Sequence, residues 1–175
     1  MKILALSGSL RAGSANNRLL EAVWSLAPAG VMVTIRGPLD DLPYFNPDIE
    51  EAGLPPVAAA LRADLGSCDA LLISSPEYAH GVPGVMTNAL DWLVGGMEMT
   101  DKPVALLNAT PPGEYAAASL METLRVMGGH FVEAASIEVP LRGSKLSAEE
   151  IAADPATAKK ITHMFEVLKR YVQHE

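Results

Sequence analysis

Apolar residues along this chain follow two rhythms that alternate. Ile3 to Leu6 is an unbroken apolar run that stops at a stretch of Ser, Gly, Arg and Asn. Four to six apolar residues bounded by turn formers predict a buried strand. Leu19, Leu20, Val23, Trp24 and Leu26-Ala27 then recur at helical spacing, and Pro28 and Gly30 end the helix. The pair of rhythms repeats: strand Val31–Ile35, helix Val57, Leu61 and Leu65 closed by Gly66, strand Ala70–Ser74, helix Val82, Val85, Met86, Ala89, Leu90 and Leu93. Strand Val104–Leu107 follows, then the stripe Leu120, Leu124 and Met127 stopped by Gly128-Gly129, and a fifth strand within Phe131–Val139. The last helix buries Ala158, Ile161, Met164, Phe165, Leu168 and Val172. Ser147-x-x-Glu150 has the capping-box spacing, and Asp154-Pro155 reads as an N-cap and first helical residue.

Strand and helix alternate five times without an internal repeat or a linker. The expectation is a single domain over residues 1–175: an α/β, flavodoxin-like three-layer sandwich with a five-stranded parallel sheet of order 2-1-3-4-5. Three polar loops follow strands and meet on one edge of such a sheet: Ser7–Asn16, Ser75–Gly84 and Asn108–Tyr115. Residues 36–56 carry five prolines and an acidic cluster (Asp48, Glu50, Glu51), and read as an irregular segment. Its Tyr44, Phe45 and Leu54 either cover a site, meet another subunit or tuck onto their own domain.

The first loop has the makings of a phosphate site. It brings hydroxyls (Ser7, Ser9, Ser14) and one guanidinium (Arg11) to the positive end of a helix dipole. It lacks the Lys of a P-loop, and Gly8 and Gly13 do not complete a dinucleotide fingerprint. What remains suits a single phosphomonoester such as that of FMN. The competing reading is a polar connection capped by Ser14 or Asn16, with Arg11 solvated.

Charge and composition narrow the class. Thirteen basic against twenty-one acidic residues give −8, which argues against a nucleic-acid partner. No segment reaches the ~18 apolar residues of a membrane span, so neither membrane nor nucleic acid is expected as a partner. The lone Cys68 reads as a buried structural thiol in a reducing, cytoplasmic setting. His130, His163 and His174 are scattered without metal-ligand spacing, so no metal is expected.

Two motifs carry a family resemblance. Gly8-Ser-Leu-Arg-Ala-Gly-Ser-x-Asn16 and Ser75-Pro-Glu-Tyr-Ala-His-Gly-Val-Pro-Gly-Val-Met-Thr-Asn-Ala-Leu-Asp-Trp92, in that order, resemble the NAD(P)H-dependent FMN reductases. These flavodoxin-like proteins include quinone, azo-dye and chromate reductases. The resemblance implies that Ser9, Arg11, Ser14 and Asn16 hold the FMN phosphate, and that Pro76, Glu77, Tyr78, Ala79, His80 and Gly81 run along the isoalloxazine, mainly through backbone groups. It implies NADPH or NADH as donor, hydride transfer to FMN N5, a small-molecule acceptor, ping-pong kinetics and a homodimer or homotetramer. Trp92 reads as core and Asp91 as a surface or interface carboxylate. His80 is the one side chain placed to give a proton to a reduced acceptor, and otherwise a solvent-facing loop histidine.

The chain departs from the family where it has Ala79 for Asn, His80-Gly81 for Gly-Ser and Thr87 for Lys. Its third loop carries Pro111-Pro112 where the family has a Gly-rich segment. Two rivals therefore stay open: an FMN-binding electron carrier or interaction module without its own nicotinamide site, and a phosphate-binding α/β protein for another ligand.

Overall fold

The computed structural model describes residues 1–173, so His174 lies outside the described residues. Its strands are β1 (Lys2–Ser7), β2 (Met32–Ile35), β3 (Ala70–Ser74), β4 (Pro103–Asn108), β5 (His130–Phe131) and β6 (Ile137–Glu138). The helices are α1 (Ala15–Ser25), α2 (Pro47–Ala52), α3 (Pro56–Ser67), α4 (Gly84–Val94), α5 (Glu114–Val126), α6 (Ala148–Ala153) and α7 (Pro155–Gln173). Every strand pair is parallel, in the order β2-β1-β3-β4-β5 that the sequence predicts, with β6 pairing with β4.

The unbroken apolar runs are explained by burial on both faces. Side chains alternate along a strand, so Ile3 and Ala5 of β1 enter one core with Leu19, Leu20 and Val23 of α1 and Ile161, Phe165 and Leu168 of α7. Leu4 and Leu6 enter the other with Leu61 and Leu65 of α3, Met86 and Leu90 of α4, and Leu120 and Leu124 of α5. Helices thus cover both faces of the sheet in three layers.

Several expectations need correction. The fifth strand is split: a 3-10 turn at Glu133–Ala135 separates β5 from β6, both beside β4. Residues 36–56 are not irregular throughout, since they contain a 3-10 turn at Leu39–Asp41 and the capped helix α2. Gly66 does not close α3, which runs on to Ser67. Trp24 is 60% exposed, because Val23 takes the core position and the next residue is turned by about 100°. Ala158 and Val172 are only half-buried at the margins of the α7 stripe. The Ser147–Glu150 capping box is present, but it starts the separate short α6, and the Asp154 carboxylate accepts from Thr157 N (2.8 Å) to begin α7.

The proline-rich segment docks on α4. Asn88 Nδ2 and Trp92 Nε1 both donate to Pro43 O (3.0 and 2.8 Å), and Phe45 N donates to Asn88 Oδ1 (2.8 Å). Phe45 packs edge-on against Trp92 at 5.0 Å between ring centres. Arg62 on α3 pairs with Glu50 on α2 and donates to Trp92 O (2.8 Å). Phe45 and Leu54 thus tuck inward, while Tyr44 between the pinned residues stays 90% exposed.

Cys68 is buried, and burial pushes its thiol up from the ordinary value, outweighing the lowering effect of Lys102. A protonated thiol out of solvent is a poor nucleophile. We expect aromatic disulfide reagents at neutral pH to label native protein far more slowly than urea-unfolded protein. Equal rates would contradict the burial. The sign of the shift also means that stability linked to this thiol is full below the unfolded pKa and is lost as the pH rises through the raised folded value.

Candidate functional site

Parallel strands bring their C-terminal exits to one edge, and β1, β3 and β4 are adjacent there. Gly8 N donates to Ser74 O (2.9 Å), joining the exits of β1 and β3. Gly8 sits so close to the second loop that a Cβ would fall 2.2 Å from Ser75 Oγ and 3.2 Å from Ser75 Cα, which excludes other residues without movement. Ser74 is fully buried; its hydroxyl lies 2.9 Å from Leu107 O and 3.0 Å from Asn16 Oδ1, linking β3, β4 and α1.

The first loop is folded by its own polar atoms. Ser7 Oγ bonds Asn17 Oδ1 and receives Ser9 N (3.2 Å), and Ser14 N donates to Arg11 O (3.0 Å). Ser14 is the N-cap of α1, its Oγ accepting from Asn16 N (3.1 Å). The capping reading of Ser14 is therefore correct, and it leaves the hydroxyl proton free to donate to an anion. Ser9, Ser14 and Asn16 are buried, whereas Arg11 is exposed and its guanidinium has no hydrogen bond or ion pair among the described residues. The Ser74 hydroxyl has one proton for two neighbouring oxygens, Leu107 O and Asn16 Oδ1, so the Asn16 amide is tied to Ser74 rather than left free. No acidic residue stands in the first turn of α1. A surplus of donors at a helix N-terminus, with one free guanidinium, is the donor set a phosphate dianion requires.

The second loop begins with buried Pro76 and half-buried Glu77. Glu77 Oε2 accepts from Ala116 N (2.9 Å) in the first turn of α5, where a carboxylate is favoured by the helix dipole. Tyr78 and Gly81 exchange backbone bonds (3.1 and 2.9 Å) around Ala79 and His80, whose φ values are +49° and +62°. Positive φ at both central residues is the signature of a type I′ turn, normally given to Asn or Gly. Alanine and histidine there store about 1–2 kcal/mol each. The turn leaves Tyr78, Ala79 and His80 exposed, with Gly81 half-buried.

The third loop is built by Asn108, whose Oδ1 accepts from Thr110 N (3.0 Å) and whose Nδ2 donates to Pro112 O (3.0 Å). Gly113 then takes φ +81° to start α5. The ring of Tyr115 lies on that of His80, 4.0 Å between centres and 15° from parallel. Between β3, β4 and α5 the exits leave a small, half-open cleft lined by Ser75, Glu77, Asn108, Thr110 and Gly113.

The structure thus gathers Ser9, Arg11, Ser14 and Asn16 on the first loop and Pro76 to Gly81 on the second, at one edge of the sheet. Sequence reasoning missed Ser74, the pairing of Glu77 with the α5 terminus, and Tyr115. A serine ending an otherwise apolar strand was a usable signal for Ser74. The other two depend on contacts 39 and 35 residues apart.

The family model for NADPH-dependent FMN reductase matches residues 1–141, which include every residue of this edge. The chain belongs to that family. It is therefore an oxidoreductase that works with FMN and NAD(P)H. It is 28% identical to an NAD(P)H-dependent FMN reductase of Pseudomonas aeruginosa over 99% of its own length and 96% of the relative's. A quinone reductase of Escherichia coli is 34% identical over 60% of this chain, a match spanning about half (55%) of that relative. Among solved structures, the flavoenzyme NAD(P)H:(acceptor) oxidoreductase FerB of Paracoccus denitrificans superposes with a TM-score of 0.76 at 26% identity, covering 99% of this chain and 97% of FerB. Among the described residues no helix is long and apolar enough to cross a membrane.

Proposed function

We propose that this FMN reductase binds the FMN phosphate on the first loop and the isoalloxazine along the second, and passes electrons from NADPH or NADH to a small-molecule acceptor. The observation that supports this reading is the unspent donor set of Arg11, Ser9 and Ser14, with Asn16 beside them at the start of α1, one strand away from the Pro76–Gly81 turn. FMN held by these residues would supply the redox chemistry, hydride acceptance at N5 and delivery of electrons to an acceptor, and ping-pong kinetics would follow. The protein's part is position and electrostatics. Arg11 and the α1 terminus neutralise the phosphate, and backbone groups of the second loop meet the polar edge of the ring. Glu77, by holding the α5 terminus, fixes the second loop against the third. His80, at the mouth, is the residue that would hand a proton to a reduced acceptor.

Acceptors within this reading are quinone, azo, nitro, flavin or metal-oxyanion compounds; relatives named as FMN and quinone reductases support that range. The reading extends to a cytoplasmic homodimer or homotetramer, with the rigidly held, exposed Tyr44 as a contact.

The test is optical. Protein purified without added cofactor is expected to be yellow, to release FMN on denaturation and to bleach with NADPH or NADH under anaerobic conditions. Yellow protein that neither donor bleaches would instead make it an electron carrier. Protein that stays colourless after FMN is added would leave only another phosphate ligand.

A further inference from the structure

The aromatic side chains at the mouth are arranged in a way that phosphate binding and hydride transfer do not require. His80 and Tyr115 come from different loops, yet their rings lie almost parallel at 4.0 Å, and both remain exposed. Each is held from behind. The reciprocal Tyr78–Gly81 backbone bonds fix His80 in a conformation that residues with a Cβ rarely adopt. The Glu77–Ala116 N bond fixes the helix turn that carries Tyr115. A contact formed only by the collapse of two loose side chains would need neither restraint. Each ring covers one face of the other, so the pair presents its outer aromatic faces beside the cleft lined by Ser75, Glu77 and Asn108. The charged residues nearest the two rings in sequence are Glu77 and Glu114, both acidic; Arg142 reaches the third loop only through Thr110 O (3.4 Å).

We infer that the stacked His80–Tyr115 pair determines acceptor specificity, giving flat, uncharged conjugated rings of the quinone class a surface to stack on and giving inorganic oxyanions none. The inference rests on the reductase reading above and narrows its acceptor. A planar ring gains dispersion and quadrupole attraction from such a surface. A hydrated anion gains neither.

The experiment uses FMN-loaded protein in its oxidised form, so that binding is measured without turnover. 1,4-Naphthoquinone is titrated calorimetrically into the parent protein and into Tyr115→Ala, Tyr115→Phe and His80→Ala, each checked for FMN content and thermal melting. The Kd should rise about tenfold in both alanine variants and stay within about twofold in Tyr115→Phe. In turnover assays of Tyr115→Ala, which leaves the His80 imidazole in place, the ratio of kcat/KM for naphthoquinone to that for ferricyanide should fall by a similar factor. An unchanged Kd in Tyr115→Ala, or a Tyr115→Phe variant as weak as the alanine one, would overturn the assignment. So would a parallel fall for both acceptors, since it would signal a general collapse of the loops. Failure of the reductase reading shows elsewhere, as bound flavin in the parent protein that neither nicotinamide bleaches, while the titration still reports on the pair.

Discussion

Arg11→Ala is expected to weaken FMN binding by about 10- to 100-fold while leaving the apoprotein's stability nearly unchanged. The two halves of this expectation have one cause. The guanidinium has no hydrogen bond or ion pair among the described residues, so its removal breaks nothing in the fold. Surface changes of that kind stay within about 0.5 kcal/mol. A charge-assisted hydrogen bond contributes about 1.5–3 kcal/mol, and each ~1.4 kcal/mol is a decade in affinity. Fluorescence titration of FMN, quenched on binding, gives the Kd, and urea unfolding gives the stability. Arg11→Lys should recover only part of the affinity, because an ammonium restores the charge without the fork. An unchanged Kd in Arg11→Ala would remove the phosphate from this loop.

The largest stability effect should come from Trp92→Ala, which we expect to cost about 3–5 kcal/mol in urea or guanidinium unfolding. Trp92 is fully buried in the core beneath α4, and it holds the docked proline-rich segment through Phe45 and Pro43 O. Its removal leaves a cavity and loosens residues 43–45. Trp92→Phe should cost far less. The ring volume is largely kept, and Pro43 O retains its bond from Asn88 Nδ2. Equal losses in the two variants would mean that the indole N–H, not the packing, carries the effect.

How much of this was legible in the sequence follows from how local each signal is. The strands of the sheet and its order could be read because Ile3–Leu6, Ala70–Ser74 and Val104–Leu107 are buried on both faces and so appear as uninterrupted apolar runs. Helix α2 could not, because none of its residues is buried and the segment therefore shows no periodicity. The break between β5 and β6 was hidden for the opposite reason. Val132, Ala135, Ile137 and Val139 are all buried, so a 3-10 turn and a strand leave similar apolar traces. The phosphate loop was legible as donors at a helix start. The Glu77–Ala116 and His80–Tyr115 contacts were not, since nothing in either segment announces the other.

The crossing at Gly8 bears on how this molecule can diversify. With backbone meeting backbone and no space for a methyl group, the exits of β1 and β3 form one mechanical piece, and lengthening either would pull apart the pocket's two ends together. Beyond the Ser74–Leu107 bond at the end of β4, the third loop and the start of α5 are fastened to that piece through one carboxylate and one pair of rings. Evolution or an engineer seeking new oxidants for this scaffold therefore has a lightly fastened wall to rebuild and a fixed one to leave alone.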